Sequence, residues 1–183
     1  MKKLHLFFMC ISFLICFACQ DQEIKRNIRL WLNKKIILPV KLHYTPEIDS
    51  IWNNLLSHEY KIMTVVDSNT CTDCHLNLYE WKKLIQEIDS ITNNTAFLFI
   101  IHSKDYALVN IIKEKNKFNY PIIYDYDNKI GKLNNFSHDP RFQTFLLDSN
   151  NKVILLGNPT KNPYMWDLYK KIIQRGDNEK LNK

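Results

Sequence analysis

Two cysteines three residues apart carry the clearest chemical signal in this sequence. Cys71 and Cys74 form a C-x-x-C motif and are the only cysteines after Cys19. A disulfide between them would add little stability, because the benefit of a cross-link grows with the loop that it closes. Such a close pair favours reactivity, in which one thiol attacks a disulfide and the other resolves the mixed disulfide. We predict Cys71 as the nucleophile and Cys74 as the resolving cysteine.

The residues around the motif predict a strand before it and a helix after it. Residues 61–66 are rich in β-branched side chains and are typical of a buried strand. Downstream, apolar residues recur every three or four positions and predict one helix of about four turns, with these residues on its buried face: Cys74, Leu78, Trp81, Ile85 and Ile88. Thr70 can cap this helix, which would place Cys71 at the positive end of the helix dipole.

Three neighbours are predicted to modulate the cysteines, namely Thr72, Asp73 and His75. The negative charge of Asp73 opposes the thiolate that the helix end and His75 favour. We therefore expect Cys71 to be only weakly acidified and the pair to be comparatively reducing.

The N-terminus has the layout of a secretory signal. Two lysines precede an apolar run over residues 4–17, which is shorter than the roughly 20 residues of a membrane-spanning helix. The following Ala18-Cys19 step resembles a bacterial lipobox, which implies cleavage before Cys19 and lipidation of that residue. We predict a lipoprotein signal peptide over residues 1–18 and a lipid anchor and tether over 19–35. An uncleaved signal anchor and a plain secretory signal are the alternatives.

Composition and charge describe one globular domain of ordinary size. The chain has 183 residues, 45% hydrophobic and 24% charged, with a formal net charge of +6. No basic stripe interleaved with aromatic residues is present, so we predict no nucleic-acid partner. The domain is expected over residues 36–176 as a monomer, followed by a flexible tail over 177–183.

The rest of the chain predicts a β-α-β-α-β-β-α order, which favours a mixed sheet flanked by helices. Further strands are expected at 96–101, 144–148 and 152–157, with a short extended piece at 120–124 and an edge strand at 36–42. One further helix is expected at 106–117, with Leu108, Ile111 and Ile112 facing inward. Another is expected at 164–175, with Met165, Leu168 and Ile172 on its inner side and Gly176 at its end.

The motif and the later hairpin resemble the thioredoxin superfamily. The hairpin is formed by Thr144-Phe145-Leu146-Leu147-Asp148 and Lys152-Val153-Ile154, and the likeness covers roughly residues 55–175. The closest resemblance is to membrane-anchored thiol-disulfide oxidoreductases, relatives of peroxiredoxins and cytochrome-maturation thioredoxins. It implies an α/β fold, a thioredoxin-like three-layer α/β/α arrangement with a central mixed β-sheet.

The same resemblance implies an extracytoplasmic thiol-disulfide oxidoreductase of the bacterial cell envelope, in the periplasm. The charge of Asp73 favours the reducing direction. The Cys71–Cys74 disulfide would be its redox centre, with no other cofactor and no metal. Its partners would be disulfide-containing client proteins, a membrane electron donor and, through the lipid anchor, the membrane itself.

Two family features are absent from their usual positions. The family places a cis-proline before the strand of the hairpin, where this chain has Phe142 or Gln143, so these two residues are the predicted substrate groove. The acidic residue of many anchored members, three positions after the second cysteine, is Asn77. Asp67 or Glu80 would have to supply the carboxylate.

Three alternatives remain open at this stage. Cys71 to His75 also reads C-x-x-C-H, the attachment motif of c-type haem, with His75 as axial ligand. Cys71, Cys74 and His75 could ligate a metal, although no second C-x-x-C completes a tetrahedral set. A non-catalytic thioredoxin-like binding lipoprotein would present a surface to partners instead.

Overall fold

A five-stranded mixed sheet organises the computed structural model, which describes residues 22–42, 46–67 and 76–181. The strand order is β3-β2-β1-β4-β5, with these bounds: β1 Tyr60–Val66, β2 Thr95–Ile101, β3 Ile122–Tyr124, β4 Thr144–Leu147 and β5 Val153–Leu156. The β1–β2 and β2–β3 pairs are parallel, and the β1–β4 and β4–β5 pairs are antiparallel. The predicted mixed sheet and its final hairpin are confirmed.

Helices flank this sheet on both sides. Their bounds are α2 Pro46–Ser57, α3 Leu78–Asp89, α4 Tyr106–Lys115, α5 Lys129–Asn134 and α6 Pro163–Leu181, with 3-10 turns at Pro140–Phe142 and Pro159–Lys161. Neither α2 nor α5 was predicted from the sequence. Helix α1, over residues 22–31, belongs to a separate compact unit that ends at Leu32.

One face of the sheet carries an aromatic core. Alternate residues of β1 and β2 point to this face, where they pack against side chains of α3, α4 and α6. Trp81 meets Phe97 and Phe99 edge-on, with ring centroids 6.1 and 5.4 Å apart. Trp81 and Trp166 are buried at this face. Burying each such side chain stabilises the fold by about 1.5–3 kcal/mol.

The opposite face carries α2 and α5. Trp52 of α2 is fully buried, and its Nε1 donates a hydrogen bond to the carbonyl of Pro39 at 2.7 Å. Lys61 of β1 is also buried, and its ammonium donates to the carbonyl of His58 at 2.9 Å, just beyond the end of α2. Burial lowers the pKa of Lys61, opposed by the nearby carboxylates of Asp148 and Glu59.

The predicted inner faces of two helices are correct only in part. In α4, Val109 and Ile112 are buried, whereas Leu108 and Ile111 are exposed. In α6, Trp166, Tyr169 and Ile173 are buried, Met165 and Ile172 pack half-buried against the same core, and Leu168 is exposed. Both helices carry adjacent apolar residues, so 3.6-residue periodicity alone permits two choices of stripe.

Gly176 does not end the last helix, which continues to Leu181. A Cβ at position 176 would collide with the hydroxyl of Tyr60 on β1. The glycine therefore allows close approach of α6 to the sheet and does not act as the predicted C-terminal stop.

The predicted edge strand at 36–42 is not formed. One isolated antiparallel bridge joins Lys35 to Lys152 beside β5. Two residues after this bridge, the side chain of Asn134 forms hydrogen bonds with both the backbone N–H and the carbonyl of Ile37. Side chains of α5 and α2 thus hold this segment, at Ile37 and Pro39 respectively, in place of a regular strand partner.

Candidate functional site

The motif connects the end of β1 to the start of α3 along the chain. β1 ends at Val66 and α3 begins at Leu78. The predicted site residues Cys71, Thr72, Asp73, Cys74 and His75 lie outside the described residues, as does the predicted lipidation site Cys19.

Helix α3 starts later than predicted. Asn77 has φ 39° and ψ 43°, a left-handed conformation that interrupts any helix continuing from the motif into α3. The side chain of Asn77 makes no capping hydrogen bond. From Leu78 onward the predicted apolar stripe is correct, with these residues buried: Leu78, Trp81, Ile85 and Ile88.

The predicted groove residues Phe142 and Gln143 lie directly before β4 and are buried. The carbonyl of Gln143 accepts a hydrogen bond from the backbone of Val65 at 2.9 Å, so this position adjoins the last residues of β1. The Gln143 amide donates to the carbonyl of Ser137 at 2.8 Å. The described residues contain no cis peptide bond. Gln143 therefore joins β4 to the strand that leads to the cysteines, with its side chain turned into the protein.

Of the two carboxylates considered in the sequence analysis, only Asp67 lies at the end of β1. Its side chain is 16% exposed, and Oδ2 accepts a hydrogen bond from Nδ1 of His138 at 2.7 Å. The amide of Gln143 lies 3.5 Å from the same oxygen. Glu80, by contrast, forms a surface ion pair with Lys83.

His138 is a site residue that sequence analysis missed. Its ring is 76% exposed and lies on the segment before β4, 71 positions after Asp67. No local spacing relates two residues so far apart, so only the tertiary structure brings them together.

A cleft of about 160 Å³ opens beside Asp67 at the carboxyl ends of β1 and β2. Val65 and Ile100 contribute strand residues to its walls, and Phe136 adds an aromatic side. His102, Lys132 and His138 contribute polar groups. Ligands of open α/β sheets bind at this edge, beyond the carboxyl ends of the parallel strands.

Asp125 shapes the helical side of the cleft. It is almost fully buried, and its carboxylate accepts backbone hydrogen bonds from Lys129 at 2.7 Å and Ile130 at 2.8 Å, the first residues of α5. The carbonyl of Asp125 accepts a hydrogen bond from Nδ1 of His102 at 2.9 Å. Asp125 thus fixes both α5 and His102.

Within the described ranges, no group of three or more His, Cys, Asp or Glu side chains is arranged to hold a metal ion. Among the helices of those same ranges, none combines the length and the apolar character needed to cross a bilayer.

Comparisons with known proteins bear on the fold. No protein-family profile matches the sequence, and curated proteins gave no significant match. The thioredoxin domain of a thiol-disulfide oxidoreductase from Bacteroides vulgatus is similar in structure, with 11% identity over 65% of this chain and 82% of its own, and a TM-score of 0.50. The chain has a thioredoxin-like fold.

A second thioredoxin-like structure agrees with this assignment. It is a proposed protein disulfide isomerase from Bacteroides thetaiotaomicron, with 16% identity over 65% of this chain and 74% of its own, and a TM-score of 0.50. The predicted three-layer α/β/α arrangement with a central mixed sheet is confirmed. Since these identities are low, they support the fold, and the chemistry rests on this chain's own residues.

Proposed function

We propose that this protein is an extracytoplasmic, lipid-anchored thiol-disulfide oxidoreductase that uses the Cys71–Cys74 pair. One observation carries the proposal: the only two cysteines after Cys19 fall between the end of the central strand β1 and helix α3 of a thioredoxin-like fold. A dithiol at such a strand-to-helix junction is suited to exchange, because the thiolate is the attacking species and the nearby second thiol completes the reaction.

The proposed reaction has two steps. The Cys71 thiolate attacks one sulfur of a client disulfide, which breaks that disulfide, forms a mixed disulfide and releases the first client sulfur as a thiolate. The Cys74 thiolate then attacks the sulfur of Cys71, which releases the second client sulfur and leaves a Cys71–Cys74 disulfide. Two electrons pass to the client, the two Cys thiols lose their protons, and the two client sulfurs take up protons from water.

We propose the reducing direction because Asp73 opposes a strongly acidified Cys71. A membrane electron donor would return two electrons to the Cys71–Cys74 disulfide after each cycle. The lipid on Cys19 would keep the domain beside that donor in the cell envelope, where disulfide-containing proteins are its clients.

Reduction of insulin disulfides by the full chain, extracted from membranes in detergent, tests the activity. We expect turnover by the wild type with a chemical reductant and loss of turnover in Cys71→Ser. Cys74→Ser is expected to accumulate the mixed disulfide, since its resolving thiol is absent. Equal inactivity of wild type and Cys71→Ser would overturn the proposal and favour a non-catalytic binding lipoprotein.

The same preparation tests the remaining alternatives. A Soret absorption band would identify haem attached through C-x-x-C-H, and stoichiometric zinc would identify a metal site. Either result would overturn the proposed exchange reaction. A membrane-bound wild type and a Cys19→Ala variant released from the membrane are expected if Cys19 carries the lipid.

A further inference from the structure

Helix α1 carries a row of basic side chains on one face. Lys25, Arg26 and Arg29 are exposed, and they share a face because Arg29 follows the other two by about one turn. Asn27 and Trp31, also about one turn apart, are buried and mark the opposite side of the helix. The three cations therefore lie away from the buried side and face outward.

The charge of this row is not neutralised by the rest of α1. Among the residues that the structure describes, no carboxylate forms an ion pair with Lys25, Arg26 or Arg29. Glu23 is the only acidic residue in the sequence of the helix, and it is half-buried. The basic face is thus available to a ligand of opposite charge.

Two apolar residues flank the row. Ile28 and Leu30 precede and follow Arg29, so they lie about 100° to either side of it around the helix. Their side chains are 40% and 61% exposed. Exposed cations beside exposed apolar side chains match the surface of a bilayer, which offers both charged headgroups and acyl chains. A wholly polar polyanion would leave Ile28 and Leu30 in water.

The position of α1 in the chain favours the same partner. The helix begins three residues after Cys19, the proposed lipidation site, and three residues span at most about 11 Å. This distance is close to the Debye length of about 8 Å at physiological salt. A lipid on Cys19 would therefore hold the first turn of α1 within range of the surface charge of the bilayer.

We propose that the basic face of α1, formed by Lys25, Arg26 and Arg29, lies on the bilayer and binds anionic phospholipid headgroups. Of the proposed function, the inference rests only on the lipid at Cys19, to which it adds a second contact that selects for lipid charge. A lipid chain combined with a basic patch gives stable attachment where one signal is marginal. Each basic residue near an anionic bilayer strengthens binding about 5-fold, so three strengthen it on the order of 100-fold.

Hydrogen–deuterium exchange of the full chain, reconstituted in vesicles and followed by mass spectrometry, tests the inference. We expect the amides of residues 22–31 to exchange at least about 5-fold more slowly in vesicles that contain phosphatidylglycerol than in vesicles of phosphatidylcholine alone. High salt should remove the difference, because counterions screen the headgroup charges. Equal exchange in the two lipids at low salt, or a difference that high salt leaves intact, would overturn the inference.

Two variants assign this slowing to the basic face. Lys25→Gln/Arg26→Gln/Arg29→Gln should lose most of it, while the helix is retained because glutamine has a helix propensity close to that of lysine and arginine. Arg26→Lys/Arg29→Lys keeps every charge and should behave as the wild type. Unchanged slowing in the glutamine variant, or its loss in the lysine variant, would contradict the assignment to these charges.

A control variant separates the basic face from the overall charge of the protein. Lys104→Gln/Lys115→Gln/Lys171→Gln removes three exposed basic residues outside α1 and lowers the net charge by the same amount. It should keep the slowing that the wild type shows. Loss of the slowing in this control would show that net charge attracts the bilayer, and the inference would fail.

The same samples separate this inference from the redox function. Insulin reduction in detergent by the glutamine variant of α1 should match that of the wild type, since α1 belongs to a separate compact unit. The mass of the N-terminal peptide from the exchange digest shows independently whether Cys19 carries a lipid. Slowed exchange in a chain that reduces no insulin supports the inference while the proposed reaction fails. An active chain whose α1 exchanges equally in both lipids overturns the inference alone.

Discussion

The side-chain amide of Asn134 forms two hydrogen bonds with the backbone of Ile37. Its Oδ1 accepts from the Ile37 N–H at 2.7 Å, and its Nδ2 donates to the Ile37 carbonyl at 2.9 Å. Nδ2 also donates to the carbonyl of Ile130, at 2.9 Å, in the same helix. One buried side chain thus does for Ile37 what a neighbouring strand would do, because it satisfies both backbone groups.

Asn134→Leu is expected to lower the free energy of unfolding by about 1–3 kcal/mol, since it removes both partners of Ile37 from a part-buried position. Urea denaturation followed by circular dichroism measures the loss. Asn119→Ala, at an exposed asparagine before β3, is the control and should change stability by less than about 0.5 kcal/mol. A similar small change in Asn134→Leu would contradict the structural role given to this amide.

Asp125→Ala should destabilise the protein by about 1–3 kcal/mol, because the first backbone N–H groups of α5 lose their buried acceptor. Asp125→Asn should cost less, since its side-chain oxygen can still accept one of these hydrogen bonds. The measurement is again chemical denaturation, with Asp127→Asn as the exposed control. Equal stability of Asp125→Ala and Asp127→Asn would show that α5 does not depend on this cap.

The parts of the fold that could be predicted from the sequence are those whose residues form long apolar runs. Residues 96–101 form a buried strand, and continuous apolar runs are typical of strands covered on both faces. The inner face of α4 was less determined, because Leu108, Val109, Ile111 and Ile112 offer two overlapping stripes. Which stripe is buried depends on how the helix docks on the sheet.

At the candidate site, local patterns located the cysteine motif between a strand and a helix but not the residues around the cleft. Asp67 and His138 meet only because β4 pairs with β1, which brings the preceding segment to the end of β1. Gln143 could be placed before β4 from the sequence. The inward orientation of the Gln143 side chain, toward Ser137, depends on the tertiary structure and could not be predicted from local sequence.

Ionisation of Tyr169 in the unfolded chain should lower the stability of the protein in alkaline solution. Burial raises its pKa far above the ordinary value, and its hydroxyl donates to the carbonyl of Gly157 at 2.9 Å. The unfolded state releases this proton near pH 10 while the folded state keeps it. The contribution of Tyr169 to the free energy of unfolding is therefore fully present below about pH 10 and declines as the pH rises above that value.

Tyr169→Phe tests this sign. Urea denaturation from pH 8 to pH 11 should show a shallower alkaline decline in the variant. Some decline should remain, because burial also raises the pKa of Tyr120. At pH 8 the variant should be less stable by about 0.5–1.5 kcal/mol, through loss of the hydrogen bond to Gly157. An identical alkaline slope in both proteins would contradict the assignment to Tyr169.

Gly176→Ala has two opposing effects on stability. It raises the helix propensity of position 176, and it disturbs the close packing of α6 against β1. In an exposed helix the change would stabilise by about 0.8–1 kcal/mol. Here the new Cβ would collide with the hydroxyl of Tyr60, and forcing an extra carbon into a packed interior costs about 1–3 kcal/mol. We expect packing to dominate and the variant to be less stable.

The double variant Tyr60→Phe/Gly176→Ala removes the colliding oxygen, so Gly176→Ala should lower the free energy of unfolding less in the Tyr60→Phe background than in the wild type. Equal costs in the two backgrounds would show that the contact with Tyr60 is not what requires glycine at this position.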